Sequence, residues 1–307
     1  MKKGFGHLFA LPREKYEFIE NNSHLYSRER MCLLLGVSRS GYYKWKIRGE
    51  SNRMKEEKNL YSVIYDIYKE SRCLYGSPRI HDRLFKRGIY CSRNRVARIM
   101  RKNGIRSIRN KRYKVTTDSK HKKAVSPNVL HRDFRAEKPN KIWVSDITYI
   151  DTCEGWLYLT MILDLYNREI VGYSSSNNLK ASGTVLRAFN EAEVRRKISS
   201  GLIFHSDRGS QYVSTAFRKK LKLHGCLQSM SGSGNCYDNA VAESFFKTLK
   251  SELIYQEGKY KTRKEARMSI FEYIECYYNS QRAHSAIEYN TPREKLELYY
   301  KEIKQCA

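Results

Sequence analysis

Three acidic residues occupy positions in this chain where local structure argues against a charge. Asp146 lies inside an apolar, β-rich run, with Trp143 and Val144 before it and Ile147, Tyr149 and Ile150 after it. A carboxylate seldom stands in such a strand without a partner. Asp207 closes the segment LIFHSD, at the carboxyl end of an expected strand, where α/β sheets tend to present functional groups. Glu243 falls on the first turns of an expected helix after a glycine loop, with 35 residues between it and Asp207. Lys250 follows seven residues later, and at about 100° per residue seven steps return to nearly the same helix face. Asn239 shares that face, whereas Phe245, Phe246 and Leu249 point elsewhere and pack. One face therefore carries an amide, a carboxylate and an ammonium group, a set suited to a metal and a phosphate. Carboxylates without cationic neighbours in their strands repel one another, and a hard cation resolves the repulsion. Mg²⁺ usually takes one or two carboxylates with phosphate oxygens and waters. Two such ions, Mg²⁺ or Mn²⁺, about 3.5–4 Å apart would activate an attacking oxygen and stabilise a leaving one. The spacing alone is equally compatible with three separately solvated acids.

Other groups are weaker candidates. His205 could act as a general base but reads better as a strand histidine hydrogen-bonded in place. The loop SGSGN (231–235) is no nucleotide-binding fingerprint, since neither GxGxxG nor GKS/GKT occurs; it reads as a mobile loop beside the acids. Cys236 has no readable base partner, so a thiol nucleophile is not expected. Asp151 and Asp164 are further acids near strand ends, without so specific a local pattern. The eight cysteines show no CxxC or CxxH pairing, which argues against zinc and for reduced thiols.

The elements that would position these groups divide the chain into five parts. Residues 1–56 form a helix-turn-helix-like segment: in SRERMCLLLGVSRSGYYKWKIR, Gly36 makes the turn and Ser38 or Ser40 caps a second helix. That helix would offer Arg39, Tyr42, Tyr43, Lys44 and Trp45 as a basic, aromatic surface; a plain helical hairpin is the alternative. Residues 57–114 form a helical DNA-binding domain. In it Pro78 opens a helix that Gly88 ends, and Ser92 caps another that Gly104 closes. Val96, Ile99 and Met100 make the buried stripe of the last helix, leaving its arginines for solvent or phosphate. Residues 115–138 read as a basic linker. From 139 to 260 three β-rich segments give way to alternating helix and strand, including a long helix from about Asp238 to Tyr255, which describes a mixed α/β layer. Residues 261–307 are helical and rich in Tyr.

Charge separates the two halves. Residues 1–140 carry 35 basic and 13 acidic side chains, whereas residues 141–307 carry 24 and 19. An excess of this size favours a polyanion, because each phosphate contact releases condensed counterions. Ten basic residues and one acid lie between Arg101 and Lys123. No segment approaches the roughly 20 apolar residues of a membrane-spanning helix, and the first residues do not form a signal peptide.

The motifs WVSDITYI, HSDRGSQY and SMSGSGNCYDNAVAESFFKTLKSEL together resemble the three catalytic blocks of the DDE transposases related to retroviral integrase. With YNSQRAHSAIEYNTP downstream, and with GVSRSGYYKW and YGSPRIHDRLFKRGIYCSRNRVARIMRKNGI upstream, the chain resembles the OrfB product of bacterial insertion-sequence family three. The resemblance implies an RNase H-like catalytic core with Asp146, Asp207 and Glu243 as catalytic residues and ligands of two metal ions, and with Lys250 on the DNA end. It implies cleavage by metal-activated water at an element end, followed by direct attack of the 3′-hydroxyl on a second phosphodiester, with no covalent protein–DNA intermediate. Arg208, Asn235, Tyr237, Asp238 and Asn239 match family positions in loop shape or DNA contact.

Expected DNA contacts are therefore Lys250, Lys247, Arg208 and Asn239 near the acids, and Arg93, Arg95, Arg101, Lys102, Arg106 and Arg109 in the basic helical region. The histidine- and cysteine-bearing zinc domain of the viral relatives is absent. End recognition in the family usually rests on a separate upstream frame, OrfA; no four-heptad leucine run occurs here, so an OrfA partner or fusion is expected, with homo-oligomers on double-stranded DNA. The expected fold is α/β, with helical regions on either side of the core. The expected function is metal-dependent 3′-end cleavage and strand transfer by a cytoplasmic, nucleoid-associated bacterial transposase. The alternatives are a non-catalytic DNA-binding repressor and an RNase H-like nuclease acting on RNA–DNA hybrids.

Overall fold

The computed structural model describes residues 11–48, 51–108, 125–232 and 236–306. Two compact units part between Asp66 and Ile67, inside one long helix. The first contains α1 (Pro12–Asn21), α2 (Arg28–Leu35) and α3 (Arg39–Ile47). Gly36 ends α2 at φ 64°, in the left-handed region, and Ser38 caps α3 by accepting from the Gly41 amide at 3.0 Å. The helices close around Ile19, Met31, Cys32, Leu35 and Tyr42. This corrects the expected surface of α3. Tyr42 is wholly buried and hydrogen-bonds Glu20, and Trp45 is half-buried against the same core. The exposed face keeps Arg39, Tyr43, Lys44 and Lys46.

Helix α4 (Asn52–Glu70) crosses into the second unit, where α5 (Ser77–Lys86) and α6 (Arg93–Lys102) follow. Ile80 and Leu84 bury one face of α5, and Val96, Ile99 and Met100 one face of α6. Ser92 accepts from the Arg95 amide at 3.2 Å, as its position before the helix anticipates.

The centre of this unit is a five-stranded sheet in the order β3-β2-β1-β4-β5: β1 (Ile142–Thr152), β2 (Gly155–Asp164), β3 (Ile170–Ser176), β4 (Ile203–Ser206) and β5 (Leu227–Met230). The first three strands are antiparallel; β4 runs parallel to β1, and β5 parallel to β4. Period-two alternation sorts the side chains of β1. Trp143 joins a core with α7 (Val185–Arg195) and α8 (Thr215–Leu223), through Ala188, Phe189, Phe217 and Leu221. Ile142, Val144 and Ile150 face the other way, toward Phe245, Phe246 and Leu249 of α9 (Ala240–Leu249). Gly172 lets α7 approach β3: a Cβ there would stand 2.3 Å from the Ala188 carbonyl oxygen.

The long helix expected to run to Tyr255 is not uniformly α-helical. After α9 the backbone widens into a π-turn (Lys250–Ile254) before the single turn α10 (Tyr255–Glu257). Next come α11 (Arg263–Phe271), a second π-turn (Glu272–Tyr278) and α12 (Pro292–Cys306). Ala266, Ile270, Tyr273, Ile274, Tyr277 and Tyr278 join the core that holds Val144 and α9, so this segment and α9 together cover that face of the sheet. A mixed sheet with helices on both sides is the RNase H-like α/β arrangement expected. Cys32, Cys73, Cys91, Cys153, Cys226 and Cys276 are free thiols. Among the described residues no helix is long and apolar enough to cross a membrane.

Candidate active site

Asp146 shares its strand parity with Val144 and so faces α9, where its carboxylate accepts from the adjoining Ile147 amide at 2.8 Å. Asp207 follows the last residue of β4, and its Oδ1 accepts from the Gly209 amide at 2.9 Å. A Cβ at Gly209 would lie 3.0 Å from that same oxygen, so the tight turn is shaped around the carboxylate. Glu243 stands on the first turn of α9, behind a short 3₁₀ turn (Cys236–Asn239). Lys250 marks the junction between α9 and the π-turn.

These four charges act on one another. Burial first, then the charges of Asp207 and Glu243, hold the Asp146 carboxyl well above the ordinary carboxylate range; the Ile147 amide and Lys250 pull the other way. Glu243 is raised by burial and by Asp207. Burial lowers the Lys250 pKa, and Asp146 opposes that. The sheet and α9 thus bring the acids of two strands and one helix, with one ammonium group, into a common field. They do not close it into a cage: among the described residues no group of three His, Cys, Asp or Glu side chains is gathered to hold a metal ion.

The surrounding residues differ in what they can reach. Asn239 is buried and donates to the Ser145 carbonyl at 3.2 Å, tying the start of α9 to β1 beside Asp146, while its Oδ1 finds no hydrogen-bond partner among the described residues. Arg208 donates to the Ser231 carbonyl at 2.7 Å and so holds the root of the glycine loop. Lys247 is exposed on α9. Asp238 is buried and accepts from Arg132 at 2.7 Å, Gly232 at 2.8 Å and Asn128 at 3.1 Å, anchoring that loop to the chain before β1. Tyr237 is exposed with Arg132 over its ring, 5.9 Å from the centroid. Asn235 lies outside the described residues. In the helical region Arg93, Arg101, Lys102 and Arg106 are exposed and Arg95 is partly buried; Arg109 lies outside the described residues.

The weaker candidates prove structural. His205 is fully buried, lies 2.9 Å from Ser229 Oγ, and has its pKa pushed down to about 4 by burial, which leaves it neutral. Asp164 is fully buried and caps backbone amides, and Asp151 pairs with Lys259 at 3.0 Å. Sequence reasoning passed over Glu252, Tyr273 and Arg282. Glu252 accepts from Arg282 Nε and Nη2, both at 2.8 Å, and from Tyr273 Oη at 2.8 Å, behind α9. The one available signal was an Arg inside the YNSQRAH motif, just past a Tyr-rich helical stretch.

The chain matches the family description "Integrase core domain" over residues 136–236 and again over 243–294, and "HTH-like domain" over residues 55–113. It is 40% identical over 273 residues to the transposase InsF of insertion sequence IS3A from Escherichia coli K12, covering 88% of this chain and 94% of that one. It is also 40% identical over 270 residues to the IS600 31 kDa protein of Shigella sonnei, covering 88% and 98%. A chain of the simian T-cell lymphotropic virus intasome overlays 76% of this chain and 74% of its own length at 13% identity and a TM-score of 0.44, too loosely to carry any part of the assignment. With an integrase core behind a helix-turn-helix-like region, and with relatives of that identity matched along nearly their whole length, the chain belongs to the IS3 family of insertion-sequence transposases, of the OrfB type.

Proposed function

We propose that this transposase cuts and joins DNA strands at a site made by Asp146, Asp207 and Glu243, with two Mg²⁺ or Mn²⁺ ions as its cofactor. The observation that carries the reading is the burial of Asp146 beside two further carboxylates: burial first, and then the charges of Asp207 and Glu243, hold its carboxyl above the ordinary range. A hard, oxygen-only donor set under like-charge strain suits a divalent cation and disfavours a softer metal. Bound there, the ions would polarise a phosphodiester and lower the pKa of the attacking oxygen's proton. Asp146 and Asp207 supply charge from the sheet, where Gly209 and Ile147 fix their orientation. Glu243 supplies it from α9, whose start Asn239 ties to β1. Ion binding would have to draw the three together, since they are not gathered as they stand. Lys250 and Lys247 contact the DNA end, and Arg208 supports the loop beside it.

The duplex is held by Arg93, Arg95, Arg101, Lys102, Arg106 and Arg109, with the exposed members of α6 supplying backbone-directed charge. An OrfA partner or fusion, oligomers on the DNA and a nucleoid-associated place in the bacterial cytoplasm complete the reading. The test is nicking and strand transfer on duplexes carrying the inverted repeats that flank the gene, with Mg²⁺ or Mn²⁺ and the upstream frame supplied. Glu243→Gln, Asp146→Asn and Asp207→Asn should each abolish both reactions while end binding persists. Full activity in any one of them removes that residue from the site.

A further inference from the structure

Two residues past Lys250, the π-turn carries Glu252 into the interior. There it meets Arg282 through two bonds of 2.8 Å and Tyr273 Oη through a third of the same length; Arg79 Nη1 of α5 stands 3.8 Å away. Both members of the pair are nearly enclosed, with side-chain exposures of 8% for Arg282 and 11% for Glu252. Burial alone would raise the Glu252 pKa, and the Arg282 hydrogen bonds reverse that, so the carboxylate stays charged. The Arg282 guanidinium lies over the Tyr278 ring, and Tyr278 packs edge-on against Phe245 with ring centres 4.9 Å apart. Phe245 is two residues from Glu243. The cluster therefore touches α9 near its middle, two residues from Glu243, and touches the chain again just beyond Lys250.

It also reaches the helix-turn-helix-like region. Tyr75 donates to the Gln281 carbonyl at 2.8 Å and accepts from the Ala283 amide at 2.7 Å, bracketing Arg282. Arg79 then lies over the Tyr75 ring, 5.4 Å from its centre. The motifs YGSPR and YNSQRAH, which the reaction site leaves unexplained, thus meet around one carboxylate.

We propose that Glu252, Arg282 and Arg79 form a positioning strut that sets the end of α9, and with it Lys250, against Asp146, and that links this setting to α5. The inference rests on the reading of Asp146, Asp207, Glu243 and Lys250 as the reaction site. A planar guanidinium gripping a carboxylate through two bonds admits one relative geometry. A buried pair of this kind adds little net stability over apolar packing, so its specific contribution is orientation. A wide turn has more rotational freedom than α-helix, and π-turns recur at functional sites. Fixing Glu252 removes that freedom at the residue next but one to the ammonium group.

The experiment measures single-turnover nicking and end-DNA affinity separately for the full-length chain and for Arg282→Lys, Glu252→Gln and Arg79→Met, with folding checked by melting. Arg79 is the least buried of the three and keeps its stacking volume as Met, so that variant serves if the other two fail to fold. A strut predicts a nicking rate lowered about 100-fold in folded protein, as for a small displacement of a reacting group, with the affinity for end DNA unchanged. Crosslinking of a photoreactive side chain at position 247 to the DNA end should shift along the strand in the same variants. Equal losses of rate and affinity that track the folded fraction would reduce the cluster to plain structure, and a wild-type rate in folded Arg79→Met would remove the link to α5. Asp207→Asn is run in parallel. If it still nicks, the reading of the site fails; if it is dead while the strut variants are normal, the strut alone fails.

Discussion

Asn in place of Asp164 separates an acid that builds the fold from the acids of the site. Asp164 ends β2 with no exposure, and its two oxygens accept from the Asn140 amide at 2.7 Å and the Tyr166 amide at 2.9 Å. Burial pushes its carboxyl from 3.8 up to about 6, against those two bonds and the charge of Arg196. At about 1.4 kcal/mol per pH unit, that interval amounts to about 3 kcal/mol. Because the folded state holds the proton more tightly, this stabilisation is complete below pH 3.8 and is lost as the pH rises through about 6. Asn cannot titrate, so the stability difference between wild type and Asp164→Asn should move by about 3 kcal/mol in favour of wild type on going from neutral pH to below 3.8. Urea unfolding followed by circular dichroism at several pH values measures the difference directly. A difference that does not change with pH, or one that moves in favour of the variant toward acid, would refute the account. Nicking per folded molecule should survive this substitution, as it should not at Asp146.

Three further outcomes follow from the same geometry. Magnesium at ten times its dissociation constant should stabilise the unit of residues 67–307 by about 1.4 kcal/mol, roughly 3–6 °C in melting temperature; Asp146→Asn and Asp207→Asn should lose that gain, and an equal gain in either would place the ion elsewhere. Neutralising Arg93, Arg101, Lys102 and Arg106 together should reduce the slope of log affinity against log salt by about 0.9 for each true phosphate contact; an unchanged slope would take α6 off the DNA. Gly172→Ala should cost about 1–3 kcal/mol by forcing α7 away from β3, read by chemical unfolding, and wild-type stability would show that the helix shifts freely.

Local signals in the chain were readable where one element decides the outcome. The stripe of Val96, Ile99 and Met100, the caps at Ser38 and Ser92, and the alternation that aims Trp143 and Val144 at opposite faces all follow from short-range periodicity. Asp146, Asp207 and Glu243 each stood out through placement at a strand, a strand end and a helix start, but only the motif resemblance grouped them. The α3 aromatics misled, because helical spacing alone does not say which side a neighbour covers, and Tyr42 turns inward to Glu20. The pairing of Glu252 with Arg282 joins residues 30 positions apart, and the widened turn at Lys250 leaves no mark in helical periodicity. No local window contains them. Asp164 had no specific pattern in sequence, and its role as an acceptor for the Asn140 and Tyr166 amides shows only in the folded chain.

One face of the sheet is closed partly by residues synthesised well after the last strand. Ala266, Ile270, Tyr273, Ile274, Tyr277 and Tyr278 cover the side of β1 and β2 that bears Val144, Leu159 and Met161. A nascent polypeptide that has not yet delivered them leaves part of that face in water, and α9 without those neighbours. The packing of that face is therefore completed only after every strand has been made, and until then its apolar side chains are open to misassembly and aggregation.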